Sequence, residues 1–442
     1  MKQDRNILKD QTGVQDPAGV PVSEARGSGA EIAVSLLTGG GDRPYVLGLA
    51  TSLISRGIAI ELIGSDELDF PQFRVQPNLT FLNLRGSLRP DVSVLRKIFR
   101  VLTYYARLIR YVSLARPKLF HILWNNKFEF FDRTLLMLYY RFLGKITVLT
   151  VHNVNAGTRD LQDSFLNRLT LRIQYRLSQH IFVHTEKMKR ELIEQFGVDG
   201  ARVSVIPFGI NNAIPHTTLA PDEAKKALGL QASTKTLLFF GNITPYKGLE
   251  HLVVAFQRLL GKHGGYSLII AGKPDNCSEY WAPIREAIDE DVKHGSIVVR
   301  AEHIPDEEAE VYFKAADALI LPYRHVYQSG VLFTGYNFGL PVLAADVGSL
   351  KDEIVEGKTG FLFKAENPDD LAKVIEQYFA SDLYADLNNR RPEIIAYARE
   401  GHSWDMVGQM TVSAYVGLLQ LPGLGKPLNR DVSSTSPDVK TP

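Results

Sequence analysis

Short apolar runs alternate with longer segments of helical periodicity, and this alternation restricts the fold of the chain more than any other feature. Residues 32–37 and 58–63 form two such runs, and residues 44–56 between them carry apolar side chains at helical spacing. Runs of this length and composition are typical of buried parallel strands. The alternation starts again at residue 236, after a polar linker over residues 211–218. The sequence therefore predicts an α/β fold made of two successive units with mostly parallel strands.

The segment YRHVYQSGVLFTGYNFGLPVLAADVG, residues 323–348, predicts a turn, a helix and a strand in succession. Residues 331–338 have the apolar content of a short buried helix, which the following glycine and proline would end. Residues 342–345 then form a buried strand. The turn at residues 328–331 places free N–H groups and the positive end of a helix dipole together, which suits a phosphate. The alternative is an ordinary αβ unit without a ligand.

Size and composition exclude several classes of protein. A chain of 442 residues allows two or three domains, and its net charge of +1 gives no indication of nucleic-acid binding. The single cysteine, Cys277, excludes an internal disulfide and a cysteine-based zinc site, and it is typical of a reducing compartment. No apolar run approaches the ~20 residues that span a bilayer. The first segment of the chain lacks the apolar core of a secretory signal, so we expect a cytoplasmic protein.

Polar and charged residues follow several predicted strands, at the edge where α/β sheets bind ligands. Lys247 and Lys273 follow the first two runs of the second unit, where an ammonium could neutralise a phosphate. In the first unit, His152 follows an inner strand, and a loop with Gly40 and Gly41 follows the first strand. Each residue alone could be a solvated lysine or a structural histidine, and their convergence predicts a site. The glycine spacing is not GxGxxG, so no nicotinamide cofactor is inferred.

Two segments combine basic residues with aromatic and aliphatic ones. Residues 95–114 read LRKIFRVLTYYARLIRYVSL, and residues 130–146 repeat the mixture. A basic amphipathic helix can lie on an anionic membrane surface. It can equally be an ordinary domain helix with a solvated basic face. Because two such segments are present, we include peripheral contact with an anionic membrane, on its inner face, among the predictions.

Seven features, in their order and spacing, resemble those of the GT-B glycosyltransferases, and within them the retaining family 4. They are GGGDR at 39–43, His152, IPFGI at 206–210, FGNITPYKG at 240–248, AGKPD at 271–275, QSGVLFTGYNFGLPVLAADVG at 328–348 and VEGKTGFLFKAENPDDLA at 355–372. The resemblance covers roughly residues 32–419, about the size of two Rossmann-like domains. It implies two such domains that face each other across a cleft, with a C-terminal helix from Trp404 that crosses back to the first domain.

The resemblance also implies a division of the chain. Residues 31–212 would form the N-terminal Rossmann-like acceptor domain, and residues 213–400 the C-terminal Rossmann-like nucleotide-sugar domain. Residues 401–422 would form the helix that packs back on the N-terminal domain. The polar termini, residues 1–30 and 423–442, are expected to be disordered.

In enzymes of this family the donor is a nucleotide-diphosphate sugar, bound mainly by the second domain. The resemblance implies that Lys247 holds the diphosphate, that backbone N–H groups at 329–331 bind it, and that His152 contacts the donor sugar. Beside these two catalytic candidates, the predicted donor-binding residues are Gly40, Gly41, Asn242, Lys273, Gln328, Ser329, Gly330, Val331 and Thr334. Neither a metal nor another cofactor is expected, because lysines and helix dipoles neutralise the leaving group.

The sequence departs from the family pattern at two places. The usual pair of glutamates, eight positions apart, would align with Val326 and Thr334, and neither is acidic. The arginine usually found in the Lys247 loop would align with Asn242. These replacements remove family contacts to the ribose, the donor sugar and the phosphate, and Gln328 could supply a new polar contact to the sugar. We interpret them as altered donor recognition, and the rival interpretation is a degraded donor site.

The sequence therefore predicts a retaining, hexosyltransferase-like glycosyltransferase that acts on a lipid-linked or polysaccharide-precursor acceptor at the cytoplasmic membrane face. Same-face attack needs no dedicated carboxylate base, unlike hydrolysis by two carboxylates. The alternative is a non-catalytic GT-B scaffold or partner protein, because the glutamate pair is absent. A GT-B epimerase or phosphorylase is not favoured, since no acidic and histidine set and no Schiff-base lysine is evident.

Overall fold

Thirteen strands in the described part of the chain form two separate sheets, and every pairing within them is parallel. The computed structural model describes residues 32–39, 42–87, 93–126, 128–159, 163–211, 214–274 and 277–420. We refer to the first sheet with its helices as the first half and to the second sheet with its helices as the second half. This architecture confirms the predicted pair of Rossmann-like α/β units.

The first sheet contains seven strands. They are β1 Ala33–Leu37, β2 Ala59–Gly64, β3 Leu79–Asn83, β4 Leu119–Ile122, β5 Ile146–Thr150, β6 His180–Val183 and β7 Val203–Val205. Their order across the sheet is β3-β2-β1-β4-β5-β6-β7. The direction of winding therefore reverses between β1 and β4.

The second sheet contains six strands. They are β8 Lys235–Phe240, β9 Tyr266–Ala271, β10 Ile297–Arg300, β11 Ala318–Leu321, β12 Val342–Ala345 and β13 Gly360–Phe363. Their order is β10-β9-β8-β11-β12-β13, with the reversal between β8 and β11. The strands β8, β9, β11 and β12 are almost wholly buried, which explains their continuous apolar runs.

Helices cover both faces of each sheet. In the first half they are α1 Arg43–Ile54, α2 Val94–Leu114, α3 Glu129–Phe131, α4 Met137–Phe142, α5 Ala156–Arg159, α6 Phe165–Leu177 and α7 Glu186–Phe196, with a π-helical turn at Asp132–Leu136. In the second half they are α8 Pro221–Ala227, α9 Leu249–Lys262, α10 Ser278–Ala287, α11 Asp289–Lys293, α12 Asp306–Ala315, α13 Gly330–Asn337, α14 Leu350–Glu353, α15 Pro368–Phe379, α16 Asp382–Ala385 and α17 Leu387–His402. The last helix is α18 Trp404–Leu419.

Helix α18 returns to the first half, as the sequence predicts. Its residues Trp404, Val407 and Tyr415 belong to the same apolar core as β1, β2 and α1. The second half has its own core, built around β8, β9, β11 and β12. The predicted domain boundaries at residues 212 and 400 stay predictions.

None of the helices in the described ranges combines the length and apolarity needed to cross a membrane.

Candidate active site

The side chains singled out by the sequence follow the carboxyl ends of parallel strands in both halves. Lys247 lies in the loop after β8, and Ser329 in the segment between β11 and α13. His152 lies just after β5. The reversal points of such sheets are where ligands bind, because the loops diverge there and leave a crevice.

The loop after β8 holds Lys247 inside the protein. Gly248 ends the loop with a φ of 64°, and a Cβ there would lie 2.1 Å from the carbonyl oxygen of Pro322, so only glycine fits. Lys247 is 6% exposed, and its Nζ lies 5.6 Å from the centroid of the Tyr323 ring. A Cβ added at Gly241 would lie 2.7 Å from the same Nζ. The ammonium is therefore directed along the end of β8 and not into bulk water.

The start of α13 offers an anion-binding terminus. Ser329 is the N-cap, and its Oγ accepts a hydrogen bond from the N–H of Leu332 at 3.4 Å. The first N–H groups of a helix have no carbonyl partner within it, and they carry the positive end of its dipole. In α13 these groups belong to Gly330 and Val331. A Cβ added at Gly330 would lie 3.5 Å from the ring of Phe208, which belongs to the first half.

A cavity of about 180 Å³ joins these features to the first half. Its walls are His152, Asn153 and Phe208 from the first half, and Tyr246, Lys247, Tyr323, Val326, Tyr327, Gln328, Ser329, Gly330 and Val331 from the second. Ligand pockets commonly measure ~300–1,000 Å³, so this cavity can hold only part of a nucleotide sugar. Its walls include the Lys247 ammonium, the N-terminus of α13 and the His152 imidazole.

His152 is fixed as a neutral ring in an aromatic cluster. It stacks on Trp124 with the ring centroids 4.1 Å apart and meets the edge of Tyr45 at 4.8 Å. Its Nδ1 lies 3.0 Å from Nε2 of His184, whose Nδ1 lies 3.2 Å from the carbonyl oxygen of Ile206. That carbonyl can only accept, so His184 donates through Nδ1 and accepts the Nδ1–H of His152 through Nε2.

Burial, together with the neighbouring His184, holds the pKa of His152 well below its usual range. Burial likewise lowers the pKa of His184 to about 4. A neutral His152 can hydrogen-bond but cannot neutralise a phosphate. Among the described residues that line this cavity, Lys247 therefore supplies the positive charge for a phosphate.

The structure brings six of the predicted residues around the cavity: His152, Lys247, Gln328, Ser329, Gly330 and Val331. Three others lie apart from it. Asn242 and Lys273 are exposed, and Thr334 is buried one turn into α13, where its Oγ1 donates to the carbonyl oxygen of Gly330 at 3.0 Å. Gly40 and Gly41 fall outside the described residues. Their neighbour Gly39 has a φ of 58°, and a Cβ there would lie 2.2 Å from the carbonyl oxygen of Trp124.

Two residues that shape the site were not predicted. Phe208 contacts Tyr45, His152 and His184 in the first half, and its ring stacks 6.1 Å from Phe333 of α13. Tyr327 packs into the core of the first half, and its hydroxyl donates to Oε1 of Glu191 at 2.9 Å. No local pattern marks these residues, because their partners are distant in the sequence: Phe208 contacts residues 24 to 163 positions away, and Tyr327 and Glu191 are 136 positions apart.

Across the described ranges, no group of three or more His, Cys, Asp or Glu residues is arranged to hold a metal ion. The expectation that the site uses no metal stays an expectation.

Two family models match the chain. Residues 39–213 match the model described as Glycosyltransferase Family 4, and residues 234–381 match the one described as Glycosyl transferases group 1. The two matches fall on the two halves of the fold.

Curated relatives agree with these matches. A D-inositol 3-phosphate glycosyltransferase of Acidothermus cellulolyticus is 24% identical over 392 residues, which cover 85% of each chain. An uncharacterized glycosyltransferase of Methanocaldococcus jannaschii is 25% identical over 251 residues, which cover 56% of this chain and 62% of that protein. The chain spans 58% of a D-inositol 3-phosphate glycosyltransferase of Corynebacterium urealyticum, at 25% identity over 55% of its own length.

Solved structures share the fold. A sucrose-phosphate synthase from Thermosynechococcus elongatus superposes with a TM-score of 0.70 at 16% identity, covering 88% of this chain and all of that one. The Anabaena protein HepE, in complex with UDP-glucose, gives a TM-score of 0.67 at 14% identity over 87% and 99% of the two chains. The catalytic domain of Arabidopsis thaliana starch synthase IV, bound to ADP and acarbose, gives 0.68 at 14% identity over 88% and 100%.

Proposed function

The chain belongs to the group 1 glycosyl transferases of GT-B fold, and from this we infer that it transfers a sugar from a nucleotide-diphosphate sugar with retention of configuration. The acceptor in this proposal is a lipid-linked or polysaccharide-precursor glycan. One observation carries it: the Lys247 ammonium, the start of α13 and the His152 ring line one cavity at the carboxyl ends of the strands.

In this proposal the diphosphate of the donor lies between Lys247 and the first turn of α13. The leaving diphosphate gains charge as the glycosidic bond breaks. A buried ammonium and backbone N–H groups that are already oriented stabilise that charge without reorganisation. The acceptor hydroxyl forms the new bond to the anomeric carbon on the face from which the diphosphate departs, and its proton passes to the leaving diphosphate, so this same-face attack needs no carboxylate nucleophile from the protein.

His152 contacts the sugar in this proposal. Because its ring is neutral and fixed by Trp124 and His184, with Nδ1 paired to His184 and Nε2 buried, it contacts the sugar by packing of the ring and adds no charge. Gln328 is the candidate that replaces the family's missing acidic contact. It lies in the same cavity wall, where its Oε1 accepts a hydrogen bond from the hydroxyl of Ser349 at 3.3 Å.

Different observations support the proposed nucleotide of the donor and the proposed acceptor. Solved neighbours in complex with UDP, UDP-glucose or ADP support a uridine or adenosine diphosphate donor. The exposed apolar and basic surface of α2 supports peripheral contact with an anionic membrane and hence a lipid-linked acceptor. The relatives named D-inositol 3-phosphate glycosyltransferases support a second candidate, a soluble phosphorylated acceptor.

A transfer assay tests this proposal. The protein is incubated with UDP-glucose, ADP-glucose or GDP-mannose, together with D-inositol 3-phosphate, a polyprenyl-diphosphate-linked sugar or no acceptor. We expect one donor and acceptor pair to release nucleoside diphosphate well above the rate without acceptor, and the product to keep the donor's anomeric configuration by NMR. An inverted product would reject retention, and no release or nucleotide binding with any pair would favour the scaffold alternative.

A further inference from the structure

Helix α2 presents an apolar stripe to solvent. Leu95, Phe99 and Leu102 are 80%, 72% and 59% exposed, and Ile98 and Ile109 are exposed as well. These positions recur at intervals of three and four residues, so they share one face of the helix. The side chains that α2 buries against the first half lie elsewhere on its circumference: Tyr104, Tyr105, Leu108 and Val112. Its apolar stripe therefore contributes nothing to the core.

The neighbouring segment from residue 128 to α4 extends this surface. It exposes a second set of large apolar side chains: Phe128, Phe130, Leu135, Leu138 and Phe142. It packs beside α2, because the Tyr139 hydroxyl donates to the carbonyl oxygen of Ile109 at 3.2 Å and Phe128 stacks on Tyr105 at 5.8 Å. Exposed apolar areas of this extent mark sites of interaction with a membrane or a partner.

A basic pocket opens beside the stripe. It has a volume of about 170 Å³, and its walls are Arg85, Lys97, Ile98, Arg100, Val101, Tyr104, Tyr105, Asn126 and Phe128. Three of these side chains are cations.

The pocket is ordered by its own contacts. The Arg85 guanidinium lies 4.8 Å from the centroid of Tyr104 and donates to Oδ1 of Asn126. Arg100 donates to the carbonyl oxygen of Ser87 at 2.6 Å. Cations held in this way lose little further side-chain entropy when an anion binds.

One carboxylate lies behind the pocket. Asp132 accepts hydrogen bonds from the Asn126 backbone N–H and from the Tyr105 hydroxyl, and burial raises its pKa. It does not line the cavity. Among the described residues, the cavity wall therefore carries three positively charged side chains and no negatively charged one, which suits a phosphate.

The surroundings of the pocket indicate the source of that phosphate. The three cationic side chains of the pocket would be enough to bind a soluble anion. Here Ile98 and Phe128 form part of the wall and continue into the exposed apolar surface. Polar anionic heads next to apolar chains are the chemistry of a lipid, and basic residues beside an apolar helix face bind it by charge and burial together.

The pocket also lies close to the candidate active site. Asn126 lines the pocket, and Trp124, two residues earlier, stacks on His152 in the cavity. Two residues of chain span at most ~7 Å, so the backbone connects the pocket wall directly to the residue that packs on His152.

We propose that the Arg85–Lys97–Arg100 pocket binds the phosphate of a lipid-linked acceptor whose chain lies on the apolar stripe of α2. This identification of the lipid as the acceptor rests on the proposed function.

Vesicle binding tests the pocket without any need for catalysis. The full chain is sedimented with phosphatidylcholine vesicles that contain or lack phosphatidic acid, at fixed ionic strength. We compare Lys97→Gln/Arg100→Gln with Arg96→Gln/Arg107→Gln, which removes two charges from the same helix outside the pocket. We expect the pocket variant to lose at least about tenfold more affinity for phosphatidic acid vesicles than its control, because hydrogen bonds to charged groups contribute more than diffuse attraction.

Equal losses in the two variants would overturn the proposal and leave only diffuse charge attraction. A second variant, Phe99→Ser, tests the stripe, and unchanged vesicle binding would overturn the lipid assignment. So would saturable binding of inorganic phosphate by the wild type without any binding to vesicles. Thermal shifts with UDP and ADP on the same samples check folding and the donor site separately, so a failed donor site and a failed lipid pocket give different results.

Discussion

At the scale of single residues, buried neutral histidines are a notable feature of the first half. His121 lies wholly inside, with Nδ1 2.6 Å from the Tyr415 hydroxyl and Nε2 2.7 Å from Oγ1 of Thr150. Burial lowers its pKa to about 3, and the pKa values of His152 and His184 are lowered too. These residues have an ordinary pKa near 6.5 when the chain unfolds.

This difference predicts a loss of stability in acid. Between pH 6.5 and about 4, the unfolded chain binds protons at these three positions and the folded chain does not, so unfolding is favoured as the pH falls. Each histidine contributes about 1.4 kcal/mol of unfolding free energy per pH unit in this window. We expect His121→Gln to reduce the slope of unfolding free energy against pH by about that amount, measured by denaturant titration from pH 7.5 to 4.5.

The comparison of slopes isolates the histidine from other groups. Burial raises the pKa of Asp42 and Asp132, which acts in the opposite direction and is common to both proteins. His303→Gln, the same substitution at an exposed histidine, serves as the control for the replacement itself. An unchanged slope in His121→Gln would mean that this ring is protonated in the folded chain.

At the scale of elements, helices α18 and α1 pack closely enough that glycine is required on both of them, at Gly48 and at Gly408. A Cβ added at Gly48 of α1 would lie 2.0 Å from the Trp404 indole, whose Nε1–H donates to the carbonyl oxygen of Ile210 at 2.7 Å. The Ser52 hydroxyl donates to the carbonyl oxygen of Trp404, and Arg56 pairs with Asp405 at 2.5 Å. Helix α18 thus fixes the segment after β7 to the first half.

We expect Gly48→Ala to cost about 1–3 kcal/mol of unfolding free energy, because an overpacked core must shift either the indole or the helix. Gly261→Ala is the control, since it lies in helix α9 with open space around the position, and it should be neutral or slightly stabilising. Thermal or denaturant unfolding measures both. A Gly48→Ala protein as stable as the control would show that α18 does not pack on α1 as described.

Much of this element order could be predicted from the sequence, for reasons that differ between elements. Strand β12 begins and ends at the predicted residues, and helix α18 begins at the predicted Trp404, because glycine or proline beside an apolar run limits where an element can begin or end. The edge strands β3 and β13 were not predicted. Strand β3 is only partly buried, and β13 reads Gly-Phe-Leu-Phe, so its apolar run is only three residues long.

Local sequence patterns likewise predict only some residues of the candidate site. Lys247 and Ser329 follow strands and lie beside glycines, so local patterns indicate them. Tyr327 and Phe208 obtain their roles from distant partners, such as Glu191 and Phe333. Single-sequence patterns carry no information about such contacts.

At the scale of the whole molecule, contacts between the halves surround the cavity. Phe208 stacks on Phe333, and the Tyr327 hydroxyl donates to Glu191. The Asn337 amide, in α13, donates to the carbonyl oxygen of Asn211 at 3.0 Å. The helix that would receive the diphosphate is thus packed against the half that carries His152. Donor binding and the relative position of the halves should therefore be coupled.

The most direct measurement is a calorimetric titration of UDP and of ADP into the wild type, Lys247→Ala and Lys262→Ala. Lys262 is an exposed lysine of helix α9, so its variant removes the same charge away from the cavity. The wild type and Lys262→Ala should bind one of the nucleotides with similar affinity, and Lys247→Ala should bind it roughly 10–100-fold more weakly, as expected for a lost hydrogen bond to a charged group. Equal affinity in all three proteins would contradict the assignment of this cavity to the donor diphosphate.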